Sequence, residues 1–187
     1  MVKFNFEENV NFNYLIIFTY IFWASLMIYY FLNSEIIKAG ELDGLINYGK
    51  DSILYLDKAN LIANFQFDSI PITKFSYIIL LSIPIIFNFN LSVIVIFQFF
   101  TTICSSYCLY KIGSKLSSKT VGIISMFLFL TYLPIQLRNF YLLTEILFIN
   151  ISIFLIYFVL FKRNHNLIFI FLLIFFLFLR PQSILFL

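Results

Sequence analysis

The sequence predicts an all-α fold: a polytopic transmembrane helical bundle with an external loop that carries a surface helix after the first span. Three observations carry this. The 187-residue chain is 62% hydrophobic and 11% charged, with a mean hydropathy of +0.99, whereas soluble domains carry about 25% charge. The 36 residues between Lys74 and Lys111 hold no charged side chain. Two membrane passes explain such a run, as does one pass beside a surface helix. Finally, six apolar segments recur along the chain, separated by short polar stretches.

Residues 14–32 form the first span. Their polar leader, MVKFNFEENVNFN, holds two glutamates and no small-residue cleavage site follows, so the span is expected to be retained rather than cleaved as a signal peptide. Residues 33–74 are the one sizeable polar region. Its middle, DSILYLDKANLIANF, has helix-forming composition but is too polar to span, so a surface helix over about residues 51–65 is expected. Residues 75–89 are apolar but short, with Pro84 inside; a crossing needs about 17–25 residues, so this segment is expected to be shallow. Residues 91–110, 121–137, 141–161 and 167–187 read as further spans. An apolar stretch is still running at Leu187. The chain is therefore expected to be the N-terminal part of a longer protein, because a helix after Arg180-Pro181 needs neighbours to pack against.

With 75–89 shallow, five crossings put Lys111, Lys115, Lys119, Lys162 and Arg163 in cytoplasmic loops, as the positive-inside rule requires. If all six segments cross, the N-terminus moves outside and the rule is still met. The two topologies differ at Asp51 and Glu145: five crossings place them on the same side, six on opposite sides.

The candidates for chemistry are polar groups at the external boundary: Asp51, Tyr55, Lys58, Arg138, Glu145 and Arg180. Glu145 opens the run TEILFINISIF, and a charge at mid-bilayer costs about 2.5–3.5 kcal/mol even on the gentlest scale. A boundary carboxylate can act as a general base, bind a metal ion or orient an acceptor hydroxyl. An arginine at the same level can hold a phosphate with two parallel bonds. Acid, base and apolar wall together suit a phosphate headgroup on a long hydrocarbon. Each residue also has a structural reading. Asp51 can be a solvated aspartate or a helix cap, and Glu145 a partner for Arg138. Arg138 and Tyr55 can anchor the interface, and Arg180 can mark a helix end before Pro181. Cys104 and Cys108 share a helical face but have no His or acidic partner nearby, so they read as core or lipid-facing thiols. His165 sits in the polar loop KRNHN and is given no role.

In order, these elements resemble the N-terminal half of the glycosyltransferase C superfamily, which includes protein mannosyltransferases and lipid A aminoarabinose transferases. GKDSILYLDKANLI holds Asp51, Tyr55 and Ala59 in the D-x-x-x-Y-x-x-x-A register of the family's first external loop. DSIPITKFSYIILLSIPIIFNFNLS, the basic turn LYKIGSKLSSKTVGIISM, the stretch YLPIQLRNFYLLTEILF and the segment LRPQS follow in the family's order. The resemblance covers essentially the whole chain and selects five crossings. Many members carry a second carboxylate directly after the first; here that position is Ser52. Members are also commonly much longer.

The resemblance implies inverting sugar transfer from a polyprenyl-phosphate-linked donor to a lipid, glycan or protein acceptor. Asp51 and Glu145 would be the catalytic carboxylates. Tyr55, Lys58, Lys74, Arg138 and Arg180 would bind substrate, with Arg138, Lys58 or Lys74 facing the leaving phosphate. Some members use a divalent metal ion and others none. The lipid bilayer is the expected surrounding, in the plasma (inner) membrane, and no nucleic-acid partner is expected. The alternatives are a transporter or flippase, or a non-catalytic membrane subunit. Only five glycines and clean spans speak against a transporter.

Overall fold

The computed structural model describes residues 11–33, 41–67, 70–161 and 166–181. The leader before Asn11, the Lys162–Arg163 and His165 loop, and the last residues of the chain lie outside them.

The first span is α1, Phe12–Asn33. Most of its apolar side chains face outward (Phe18 and Ile21 are each 61% exposed), while Trp23 and Met27 are buried. A short antiparallel hairpin follows, with β1 at Glu41–Asp43 and β2 at Ile46–Tyr48, Leu42 opposite Asn47. Its two-residue loop begins with Gly44 at φ +61°, a conformation open to glycine at no steric cost.

Helix α2 spans Lys50–Ala63, where a helix at 51–65 was expected. Ser52, Tyr55, Ala59 and Ile62 are its buried stripe, and Asp51, Ile53, Leu54 and Asp57 stay exposed. The helix ends with Phe65 in the left-handed region (φ 59°). The Gln66 N–H donates to Leu61 O and the Phe65 N–H to Ile62 O, which satisfies the last carbonyls. A 3-10 turn at Ile72–Lys74 leads into α3, Phe75–Ile86, which packs on α2. At 12 residues α3 is short for a crossing.

Helix α4, Ser92–Leu116, is the centre of the bundle. It packs on α5 (Lys119–Thr131) and on α7 (Thr144–Phe161). Ser118 caps α5 by accepting from the Val121 N–H. The α4–α5 crossing is close enough that a Cβ at Gly113 would lie 2.8 Å from the Gly122 Cα.

Two expected spans differ in the structure. The segment 121–137 is broken. Helix α5 stops at Thr131, then α6 (Leu133–Gln136) and a 3-10 turn (Leu137–Phe140) continue at 59°. Pro134 accounts for the break: it has no N–H to give and disfavours helix in the residue before it. In the segment 167–187 the described residues form α8 over Asn166–Leu177, 12 residues, and residues 182–187 lie outside the described part. The helix stops at Leu177, before Pro181 is reached, and Arg180 turns toward Glu145. The span read as starting at Tyr141 begins instead at Thr144.

Two apolar cores result. One surrounds Tyr77, Leu81, Val95, Leu147 and Phe176, and the other Trp23, Met27, Met126 and Phe140. Among the described residues three helices, α1, α4 and α7, are long and apolar enough to cross a membrane, and α5 with α6 makes a fourth if the bent pair is one span. These helices, with their exposed apolar faces, suggest a membrane protein.

Candidate functional site

The site is built where the hairpin, the start of α2 and the turn before α7 meet. Asp51 sits in the first turn of α2, where its negative charge favours the helix end. It is exposed and makes no ion pair among the described residues. Ser52, the residue after Asp51, is fully buried, and its Oγ accepts from the Gly49 N–H at 3.2 Å. This is a capping role that a carboxylate could share only by being buried too.

The turn before α7 is held from below by α4. Gln98 Nε2 donates to Asn139 O (2.8 Å) and to Tyr141 O (2.9 Å), and Gln98 Oε1 accepts from the Tyr77 hydroxyl (3.2 Å). Thr102 Oγ1 donates to Asn139 Oδ1 (2.9 Å). Asn150 Nδ2 donates to Thr101 and Thr102, and its Oδ1 accepts from Ser105 (2.8 Å). Gln136 accepts from the Trp23 indole. Hydrogen bonds between polar side chains are the glue of helices in lipid, where burial of apolar groups supplies little. Gln98→Leu is expected to lower thermal stability in detergent by about 1–3 kcal/mol, because it leaves the Asn139 carbonyl and the Tyr77 phenol without their partner, while Tyr141 O keeps the Leu143 N–H. An Ile96→Leu control on the exposed face of α4 should leave the transition unmoved.

Tyr141, so fixed, forms a parallel backbone bridge with Asn47. A Cβ at Gly49 would lie 3.7 Å from the Tyr141 ring. The loop that carries Asp51 and the turn that carries Glu145 are thus in direct contact at one end of the bundle. Loops in backbone contact share one end of the bundle, the arrangement expected from five crossings of a hydrocarbon core about 30 Å thick.

Glu145, in the first turn of α7, accepts at Oε1 from Arg180 Nη2 (3.1 Å), and the same oxygen forms an ion pair with Arg138 Nη1 (3.4 Å). Its Oε2 and the neighbouring Thr144 Oγ1 are buried with no partner among the described residues. A second pair lies nearby. Lys74 Nζ donates to the Tyr55 hydroxyl (2.6 Å), and Tyr55 meets Tyr77 edge to face. Tyr77 lies in α3, outside the spanning helices. Burial first, then the Tyr55 hydroxyl and the Glu145 carboxylate, push its phenol well above the ordinary range, so it remains a neutral donor to Gln98.

Of the residues named from the sequence, Arg138, Glu145 and Arg180 form one ion cluster and Tyr55 and Lys74 one hydrogen-bonded pair. No hydrogen bond or ion pair among the described residues links Asp51 to either group; its loop meets the turn before α7 at Asn47 and Tyr141, and Lys58 is half-buried further along α2. Gln98, Tyr77 and Asn139, which set the turn, were not named. Their signal was present: Gln98, Thr101, Thr102 and Ser105 recur at i, i+3, i+4 and i+7 on α4, a polar stripe on one helical face.

Beside the cluster lies a half-open groove of about 970 Å³ between α3, α4, α7 and α8. Its lining is almost wholly apolar, and it begins at residues adjoining the charged groups. Phe75 and Ser76 follow Lys74, Leu147 follows Glu145, and Phe178 precedes Arg180. The Ser76 N–H donates to Phe178 O (3.2 Å), which joins the two rims. No three His, Cys, Asp or Glu side chains converge on a metal-sized site among the described residues. A divalent ion at Asp51 would have to draw most of its ligands from substrate phosphate and water, as Mg²⁺ does in nucleotide sites.

No protein-family model, curated protein or solved structure matches the chain.

Proposed function

We propose that the protein is a membrane glycosyltransferase that moves a sugar from a polyprenyl-phosphate-linked donor to a lipid, glycan or protein acceptor on the external face of the plasma membrane. One observation carries the reading. An exposed carboxylate and a cluster of two guanidiniums on one carboxylate share an end of the bundle, and an apolar groove is lined by residues one or two positions from Lys74, Glu145 and Arg180 in the chain. That is a place for a base, a phosphate and a hydrocarbon chain together.

In this mechanism the groove takes the prenyl chain and the arginines face its phosphate. Asp51 takes the proton of the acceptor hydroxyl or amine as the acceptor atom bonds to the anomeric carbon. The bond from that carbon to the phosphate oxygen breaks with inversion, and the electron pair leaves on the phosphate. Arg138 and Arg180 stabilise the developing charge, with Lys74 at the same rim. Helix α2, with Tyr55 and Ala59 buried against α3, would lie along the membrane surface and present Asp51 to the outside.

The opposite end supports the orientation. Lys111 and Lys115 lie more than three helical turns beyond Gln98 on α4, and the Lys115 ammonium donates to the Leu160 carbonyl at the end of α7. A basic cytoplasmic end agrees with five crossings. A transporter is disfavoured by the interior of the bundle. The polar groups around Gln98 and Asn150 are neutral and bonded mainly to one another.

A photoactivatable prenyl-phosphate-hexose tests the assignment in the purified, lipid-embedded protein. Crosslinks are expected on α3 and α8, suppressed by excess polyprenyl phosphate and not by phosphatidylcholine. Label spread evenly over all helices, or insensitive to the competitor, would sink it.

A further inference from the structure

Arg138 and Arg180 reach Glu145 from places 42 positions apart in the chain, one from the turn after α6 and the other from just past α8. They meet the same oxygen. Glu145 is poorly placed to meet an acceptor group itself. Its Oε1 already faces two guanidiniums, and its Oε2 is closed off from solvent. The arginine side chains, in contrast, remain 46% and 28% exposed. Two guanidiniums held close repel each other, and long side chains at a surface splay unless something fixes them. A carboxylate oxygen between the two offsets the repulsion and sets both directions. Each guanidinium has five N–H donors in a fixed plane, enough to serve Glu145 and a second anion together.

We infer that Glu145 is a positioning residue, which holds Arg138 and Arg180 as a single clamp for the phosphate of an amphiphile whose hydrocarbon lies in the adjoining groove. The inference deepens the proposed function and rests on it for the class of substrate. It assigns Glu145 a different part from the second catalytic carboxylate expected from the sequence: its effect is on phosphate affinity, delivered through the arginines.

The test uses the purified protein in nanodiscs of neutral lipid, with farnesyl phosphate, farnesol and inorganic phosphate as probes. The wild type is expected to prefer farnesyl phosphate over farnesol by about tenfold or more, from charge-assisted bonds to phosphate. Inorganic phosphate should bind far more weakly than farnesyl phosphate. Arg138→Ala and Arg180→Ala should each erode the preference while farnesol binding is unchanged. Glu145→Gln should erode it by a similar factor, and Glu145→Asp should restore part of it. Removal of a negative charge alone would favour an anion, so unchanged or tighter farnesyl phosphate binding by Glu145→Gln overturns the inference. A Glu145→Asp protein that binds farnesol normally yet shows no recovery also overturns it. Equal binding of inorganic and farnesyl phosphate overturns the lipid part and points to a free phosphate as the ligand. Sugar transfer is read separately. A clamp that behaves as described in a protein that transfers no sugar refutes the proposed function alone. Transfer with phosphate affinity indifferent to Glu145 refutes the clamp alone.

Discussion

Asp51→Asn is expected to lower sugar transfer by roughly 10²–10⁴-fold, the usual contribution of a positioned general base. The substitution keeps the shape of the side chain and removes its capacity to take a proton. Asp51 is exposed, lies in the first turn of α2 and makes no ion pair among the described residues. The fold should therefore lose at most the few tenths of a kcal/mol that an acidic side chain contributes at a helix N-terminus. Rate and stability are thus predicted to separate: kcat collapses while the thermal transition and donor affinity hold. The measurement is release of polyprenyl phosphate from the donor by the reconstituted protein, followed beside its thermal unfolding. An Asp51→Asn protein with wild-type turnover would remove Asp51 from the chemistry. One that turns over slowly and also melts early would make it a structural residue.

Gly122→Leu is expected to abolish correct folding, and even Gly122→Ala to destabilise the bundle by about 1–3 kcal/mol or more, as overpacking does. A Cβ at Gly122 would stand 2.4 Å from the Tyr110 carbonyl oxygen and 2.3 Å from Ser114 Oγ. The serine can rotate, but the carbonyl belongs to the backbone of α4. Relief therefore requires the helices to move apart. Small residues at a helix crossing are how bundles in lipid gain contact, because the solvent supplies no hydrophobic drive between the helices. Separation of α4 from α5 would also shift the turn that follows α5, and with it Arg138. The check is the yield of monodisperse protein and its melting temperature, against Val121→Leu on the partly exposed neighbour. A Gly122→Ala protein as stable as wild type would mean that the crossing is looser than the contact distances imply.

Much of the architecture could be read from hydropathy because long apolar runs have few alternatives. Helices α1 and α4 lie where the first and third apolar segments were, and α2 lies under the polar stretch with helix-forming composition. The hairpin at Glu41–Tyr48 escaped because three-residue strands are too short to show alternation, although Asp43-Gly44 is a hairpin turn signal. The break after Thr131 could have been placed from Pro134. Among the candidates, Glu145 was legible as a carboxylate opening an apolar run, and Asp51 as a carboxylate in the polar loop after the first span. The meeting of Glu145 with Arg180 was not, since the two are 35 residues apart and their contact exists only once α7 and α8 have packed. Nor was the role of Ser52, whose cap on Gly49 depends on the turn that the hairpin creates.

The proposed reaction requires the Asp51 loop and the Glu145 turn to share the external face of the membrane. Single-cysteine labelling with an impermeant thiol reagent on intact cells measures this directly, in a background with Cys104 and Cys108 replaced by serine. Asp51→Cys and Arg138→Cys are both predicted to react from outside, and Lys115→Cys only after permeabilisation. Reaction of positions 51 and 138 from opposite sides would dissolve the shared site, and with it the assignment of base and phosphate clamp to one reaction.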